Sequence, residues 1–313
     1  MKIGQCIYQG SAHVFVINDA GVFVLDACKV KSTLQLIDEC GTEGMLSGVV
    51  TKYLDNNFAT KVAELESQMM ESGIVMKKPV DSLEAWAVGV TYRRQALEHD
   101  RDLKKKLGKT DDLYTYVYSN ERAEVFFKGI GRTVIGPSDD LWLRPDSSLV
   151  MPEAELVLII GSSGLPVGYT LGNDLTAWDI ESECPLYLNQ AKIWQGSGAV
   201  GPYIVPVECA PEAYSFELRC VVKRAGQTVI DSSGSTAGLK RTVEELCYYM
   251  NFANKVAPGT VLYTGTTCVI DHNFALQAGD VVEVSSPAIG CLRNEIQEHE
   301  FPERNFPLRE GVE

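Results

Sequence analysis

The segment Met151-Pro152-Glu153-Ala154-Glu155-Leu156-Val157-Leu158-Ile159-Ile160-Gly161 constrains the fold more than any other part of the chain. Its aliphatic run, bounded by proline and glycine, reads as a strand with no polar face to offer water, so it belongs in a buried core. Successive strand side chains alternate between faces, which points Glu153 and Glu155 the same way, roughly 7 Å apart. These carboxylates then stand at the edge of the core, where unpaired charge is costly and a cation would offset the cost.

Gly161-Ser162-Ser163-Gly164-Leu165-Pro166 reads as a loop and Val167-Gly168-Tyr169-Thr170-Leu171 as the returning strand. If the hairpin is centred in the middle of that loop, its register sets Asp174 across from Glu153 on the same face. Three carboxylates then converge. Oxygen-only ligation with room for water and substrate suits Mg²⁺, Ca²⁺ or Mn²⁺ rather than zinc. A bare pair of glutamates on a strand is also a common solvated surface feature, and spacing alone leaves both readings open.

At 313 residues the chain exceeds the usual domain of roughly 100–200 residues, which predicts one large domain with a smaller companion. The polar, proline-marked stretch Lys77-Lys78-Pro79-Val80-Asp81 sets the boundary, giving a small N-terminal α/β domain over 1–80 and a catalytic domain over 81–313. In the first, Val14–Ile17 and Val22–Leu25 form a hairpin about Asn18-Asp19-Ala20-Gly21, followed by helices over 33–48 and 59–73. In the second, short β-rich runs dominate, with helices near 94–106 and 240–254. Regular strand–helix alternation is missing, so the class is α+β.

The formal charge of −14 argues against a nucleic-acid binder, whose affinity comes from clustered Lys and Arg. Anionic substrates then need a local positive site. Nine scattered cysteines without CxxC spacing fit reduced thiols in the cytoplasm better than a disulfide framework or a zinc site. Neither a secretory apolar segment nor a run long enough to span a membrane is visible, so the expected location is cytoplasmic.

From Ala85 to about Asn294 the sequence resembles the fumarylacetoacetate hydrolase family, through an ordered set of short elements. These include Val88-Gly89-Val90-Thr91-Tyr92, Phe126-Phe127-Lys128, Glu153 with Glu155, Gly168-Tyr169-Thr170-Leu171-Gly172-Asn173-Asp174, Lys192, Thr264-Gly265-Thr266 and Ile289-Gly290-Cys291-Leu292. The resemblance implies a mixed β-roll for the catalytic domain and a homodimer. It implies that Glu153, Glu155 and Asp174 bind the divalent metal, that Lys192 lies beside it, and that Gly265 and Thr266 help to hold the substrate carboxylate. Arg93, Arg94 and Lys128 are further candidates for gripping a carboxylate or hydroxyls.

Hydrolases of this family usually carry a histidine three residues after a tyrosine, where it helps to activate water. Here Tyr92 is followed by Arg93, Arg94 and Gln95, and a glutamine takes no proton at neutral pH. Glu98, with His99 beside it, is the candidate in this segment for that work. Other stretches resemble the 2-keto-3-deoxy-sugar-acid dehydratase branch: Tyr118 to Lys128, Glu183-Cys184-Pro185-Leu186-Tyr187-Leu188-Asn189-Gln190-Ala191-Lys192, and Lys240 to Leu246. The resemblance implies a metal-dependent lyase that enolises a 2-oxo acid and expels its C4 hydroxyl, with Lys192 taking the C3 proton or holding the enolate oxygen. A C–C hydrolase of an acylpyruvate-type diketo acid and a metal-assisted oxaloacetate decarboxylase are the alternatives.

Overall fold

The computed structural model describes residues 1–41, 44–56, 58–62, 74–108 and 112–299. Strands β1 (Lys2–Tyr8), β2 (Ser11–Asn18) and β3 (Gly21–Leu25) form an antiparallel meander whose second turn falls where Asn18 and Gly21 are expected to place it. Helix α1 (Thr33–Cys40) starts at Ser32, whose hydroxyl accepts from the Gln35 amide. It stops at Gly41, which has a φ of 59°, a conformation cheap only for glycine. A second helix, α2 (Leu46–Asp55), follows, so the single helix expected over 33–48 is two. Of the helix expected over 59–73, Ala59–Lys61 instead form β4 on the edge of β3. Residues 63–73 lie outside the described residues.

Beyond β5 (Val75–Met76) and β6 (Glu84–Gly89) come α3 (Arg93–Leu107) and α4 (Leu113–Ser119). The strands β7 (Glu124–Ile130), β8 (Val134–Ile135), β9 (Leu141–Leu143), β10 (Val150–Met151), β11 (Ala154–Ile160), β12 (Pro166–Asp174) and β13 (Thr176–Ala177) follow, then the short helices α5 (Trp178–Glu183) and α6 (Leu188–Lys192). The chain continues through β14 (Gly198–Pro206), β15 (Glu217–Arg224), β16 (Gln227–Ser235), α7 (Val243–Asn251), β17 (Val261–Thr266), β18 (Val281–Ser286) and β19 (Gly290–Glu298).

The main sheet runs β4-β3-β2-β1-β14-β12-β11-β17-β6-β7, and a second sheet runs β16-β15-β18-β19-β9. β11 is the shared wall of two cores. Leu156, Leu158 and Ile160 face one, with Phe216, Val222 and Val284 of the second sheet's side. Val157 and Ile159 face the other, with Ile3, Leu36, Ile37 and Tyr263. Strand β1 is hydrogen-bonded and packed into the same body as the later strands: Ile3 of β1 pairs with Ile204 of β14, and their side chains share one core. All nine cysteines are free thiols. Among the described residues no helix is long and apolar enough to cross a membrane.

Candidate metal centre and active site

β11 and β12 pair with Ala154 opposite Asn173 and Glu155 opposite Gly172. Continued by one residue, that register sets Glu153 opposite Asp174, whose amide donates to the Glu153 carbonyl at 2.9 Å. This is the register the loop-centred hairpin implies. One oxygen each from Glu153, Glu155 and Asp174 lies within 4.8 Å of the other two. Asp174 is fully buried and Glu155 only 2% exposed.

Such a cluster is unfavourable for its own members. Burial, followed by the charges of Asp174 and Glu153, pushes the Glu155 carboxyl well above its ordinary range. Two ammonium groups partly relieve it. Lys192 Nζ lies 3.0 Å from Glu153 Oε2 and 3.6 Å from Asp174 Oδ2, and it donates to the Thr176 hydroxyl at 2.6 Å. Lys128 Nζ lies 2.7 Å from Asp174 Oδ1. Three converging, oxygen-only, charge-strained ligands fit a hard divalent cation.

The structure gives several expected substrate contacts a different partner. Lys128 is fully buried, and besides Asp174 it donates to the carbonyls of Lys192 and Ser197. Its ammonium is thus consumed in fixing Asp174. The Gly265 amide donates to Glu155 Oε2 at 2.6 Å, and the Thr266 hydroxyl donates to the Ala154 carbonyl at 2.9 Å. These groups hold ligands and strand ends, as outer partners of metal sites do. Arg93 and Arg94 are exposed on the first turn of α3. Glu98 reaches only the outer part of the cleft, where it pairs with Arg101 at 2.8 Å.

Other groups, of which the sequence pointed only to His99, complete the cavity around the carboxylates. Glu124, at the head of β7, lines it, and burial raises its carboxyl while Lys192 draws it down. Room for it comes from Gly89, its strand partner, since a Cβ there would stand 2.3 Å from Glu124 Oε2. Alternation along β7 was the available signal, because Glu124, Phe126 and Lys128 share one face. Glu181 of α5 accepts from the Tyr114 hydroxyl at 3.0 Å. Burial foremost, with Glu153 adding, pushes its carboxyl up to about 7 against the pull of Lys192. His99 and His272 stand 3.1 Å apart between ring nitrogens and pack against Trp178. Burial drives the His99 imidazole well below the usual histidine range, so it is neutral at physiological pH.

Comparison with known proteins agrees with this geometry. Over 220 residues the chain is 36% identical to the probable 2-keto-3-deoxyxylonate dehydratase of Haloferax volcanii, covering 70% of this chain and 73% of that one. Over 282 residues it is 31% identical to the 2-dehydro-3-deoxy-D-arabinonate dehydratase of Saccharolobus solfataricus, covering 89% and 94%. A solved structure described as 2-keto-3-deoxy-D-arabinonate dehydratase complexed with magnesium and 2,5-dioxopentanoate superimposes with a TM-score of 0.79 at 28% identity, over 96% of this chain and 100% of that one. Residues 84–297, which carry every carboxylate and lysine of the cluster, match the fumarylacetoacetate (FAA) hydrolase C-terminal family. The chain belongs to the fumarylacetoacetate hydrolase family.

Proposed function

We propose that the protein is a magnesium-dependent dehydratase of a 2-keto-3-deoxy sugar acid, with conversion of 2-keto-3-deoxypentonate to 2,5-dioxopentanoate as its reaction. The observation that carries the reading is the three-carboxylate cluster with Lys192 Nζ at 3.0 Å from one of its members, in a cavity where position 95 is an amide. Glu153, Glu155 and Asp174 would hold the metal. Bound there, magnesium supplies positive charge to the C1 carboxylate and to the C2 oxygen, on which negative charge grows as the C3 proton leaves.

Lys192 is the base for that proton. Burial lowers its affinity for a proton, while Asp174, Glu153, Glu181 and Glu155 together hold it well above the ordinary lysine range. A bound cation would offset those ligand charges, leaving burial, which favours the neutral amine that can take the proton. Glu124 is the acid: it lines the cavity, burial keeps it protonated more readily than an ordinary glutamate, and it meets no protein donor among the described residues. Its proton joins the departing C4 hydroxyl as water, leaving a C3–C4 double bond conjugated with the C2 ketone. Moving a proton from C5 to C3 then gives the enol of the 5-aldehyde.

The reading extends to a homodimer in the cytoplasm. The exposed side chains of Tyr248, Phe252 and Leu165 support the first, and nine unpaired thiols support the second.

The test is incubation of the purified protein and Mg²⁺ with a panel of 2-keto-3-deoxy acids and acylpyruvates, with products weighed by mass spectrometry. Loss of one water from a 2-keto-3-deoxy acid, abolished by EDTA and restored by Mg²⁺, is expected. Two carboxylic fragments from an acylpyruvate would make it a hydrolase instead. In Lys192→Met, kcat falls at least about 100-fold while the melting temperature of the magnesium-loaded protein moves little.

A further inference from the structure

The cleft that ends at the carboxylates has a second lobe. An inner lobe at the carboxylates and an outer lobe adjoin, and Gln95, His99 and Glu153 line both. A five-carbon 2-oxo acid held by a cation on the carboxylates would reach Gln95, which borders both lobes. The outer lobe offers carbon walls from Met151, Pro152, Val269 and Ile270. Its polar groups are mostly committed elsewhere. His99 and His272 turn ring nitrogens toward each other at 3.1 Å, Thr266 donates to a strand carbonyl, and Glu98 pairs with Arg101.

Gln95 is the exception. It is only 9% exposed, yet its Oε1 is buried with no hydrogen-bond partner among the described residues. A buried amide oxygen left unpaired is costly, and the cost is removed when a donor arrives. The first turn of α3, where Gln95 follows Arg93 and Arg94, fixes the amide at the junction of the two lobes.

We propose that Gln95 is a specificity-determining residue which accepts a hydrogen bond from a hydroxyl on the carbon beyond the leaving group. The site then selects 2-oxo acids that end in hydroxymethyl over those that end in methyl. The inference rests on the dehydratase reading and deepens it. It also gives the C5 hydroxyl a holder during the proton shift that turns C5 into the aldehyde carbon. A site built to bond a hydroxyl rejects the analogue lacking it far more strongly than an apolar pocket rejects a missing methylene.

The test compares 2-keto-3-deoxypentonate with 4-hydroxy-2-oxopentanoate, which keeps the leaving hydroxyl at C4 and lacks only the one at C5. The wild type should favour the first by at least about tenfold in kcat/KM, and in Gln95→Met that ratio should fall by at least about tenfold. A wild type that does not discriminate overturns the inference without needing the variant. So does a Gln95→Met enzyme whose ratio is unchanged, whether both activities fall together or neither falls. If the wild type dehydrates neither compound yet cleaves an acylpyruvate, the dehydratase reading itself has failed and takes this inference with it.

Discussion

Charge at the floor of the cleft is balanced by opposing pressures that sequence spacing only half reveals. The positions of Glu153, Glu155 and Asp174 were legible because strand alternation and hairpin register are short-range rules, whereas Lys192, on α6, was indicated only by the family resemblance. The partners of Lys128 and Gly265 were not legible, since both depend on which distant strand packs beside which. Protonation follows from burial. Glu155 is raised well above the ordinary 4.5, Glu124 is raised, and Glu181 reaches about 7. A carboxyl whose folded value lies above its unfolded one binds more protons when folded, so its contribution to stability is present at low pH and is lost as pH rises through the folded value. His99, held low by burial, acts in the opposite sense, with stability rising as pH rises toward the ordinary histidine value. Metal binding isolates the carboxylates, because ligands must lose their protons to bind a cation. The rise in melting temperature on adding Mg²⁺ should therefore grow between about pH 5 and about pH 8. A rise independent of pH would mean that these carboxyls are already ionised without metal.

Elements show the same division between local and distant rules. The β11–β12 hairpin, the β2–β3 turn and helices α3 and α7 lie close to their expected positions because periodicity and turn residues specify them locally. The break of α1 at Gly41 and the edge pairing of Ala59–Lys61 escaped, the first through a single left-handed glycine and the second because a neighbouring strand overrode a helical pattern. The parallel pairing of β17 with β6 joins residues far apart in sequence, and no local signal announces it. It nonetheless builds the centre: at the end of β17, Gly265 has a φ of 90°, and a Cβ there would lie 2.1 Å from Thr91 Oγ1, beside the loop that follows β6. Thr91 cannot yield easily, since it is fully buried and its hydroxyl donates to the Thr264 carbonyl at 2.7 Å. Gly265→Ala should thus displace the amide that holds Glu155. Metal affinity, read by calorimetry, should weaken about tenfold or more, with a stability loss of about 1–3 kcal/mol. Unchanged Mg²⁺ binding would show that Glu155 needs no such holder.

For the whole molecule, a formal charge of −14 repels the anion that the site is built to take, so the approach must be locally favourable. The outer lobe opens, through Glu98, Val269, Ile270 and His272, onto a surface groove where Arg94, Arg101 and Lys105 offset the carboxylates of Glu98, Asp102 and Asp271. Arg101 is paired with Glu98, whereas Arg94 makes no ion pair among the described residues and is exposed at the start of α3. An unpaired guanidinium at the mouth of a cleft raises the local concentration of an anionic substrate without touching its reacting atoms. Arg94→Ala should lower kcat/KM about three- to tenfold at low ionic strength. The deficit should shrink as salt approaches about 0.15 M, where the screening length falls to about 8 Å. Because the step lost is encounter rather than chemistry, kcat should move less than kcat/KM. A fall in kcat equal to the fall in kcat/KM, insensitive to salt, would instead put Arg94 in contact with the reacting substrate, by a movement of α3 that brings its first turn over the carboxylates.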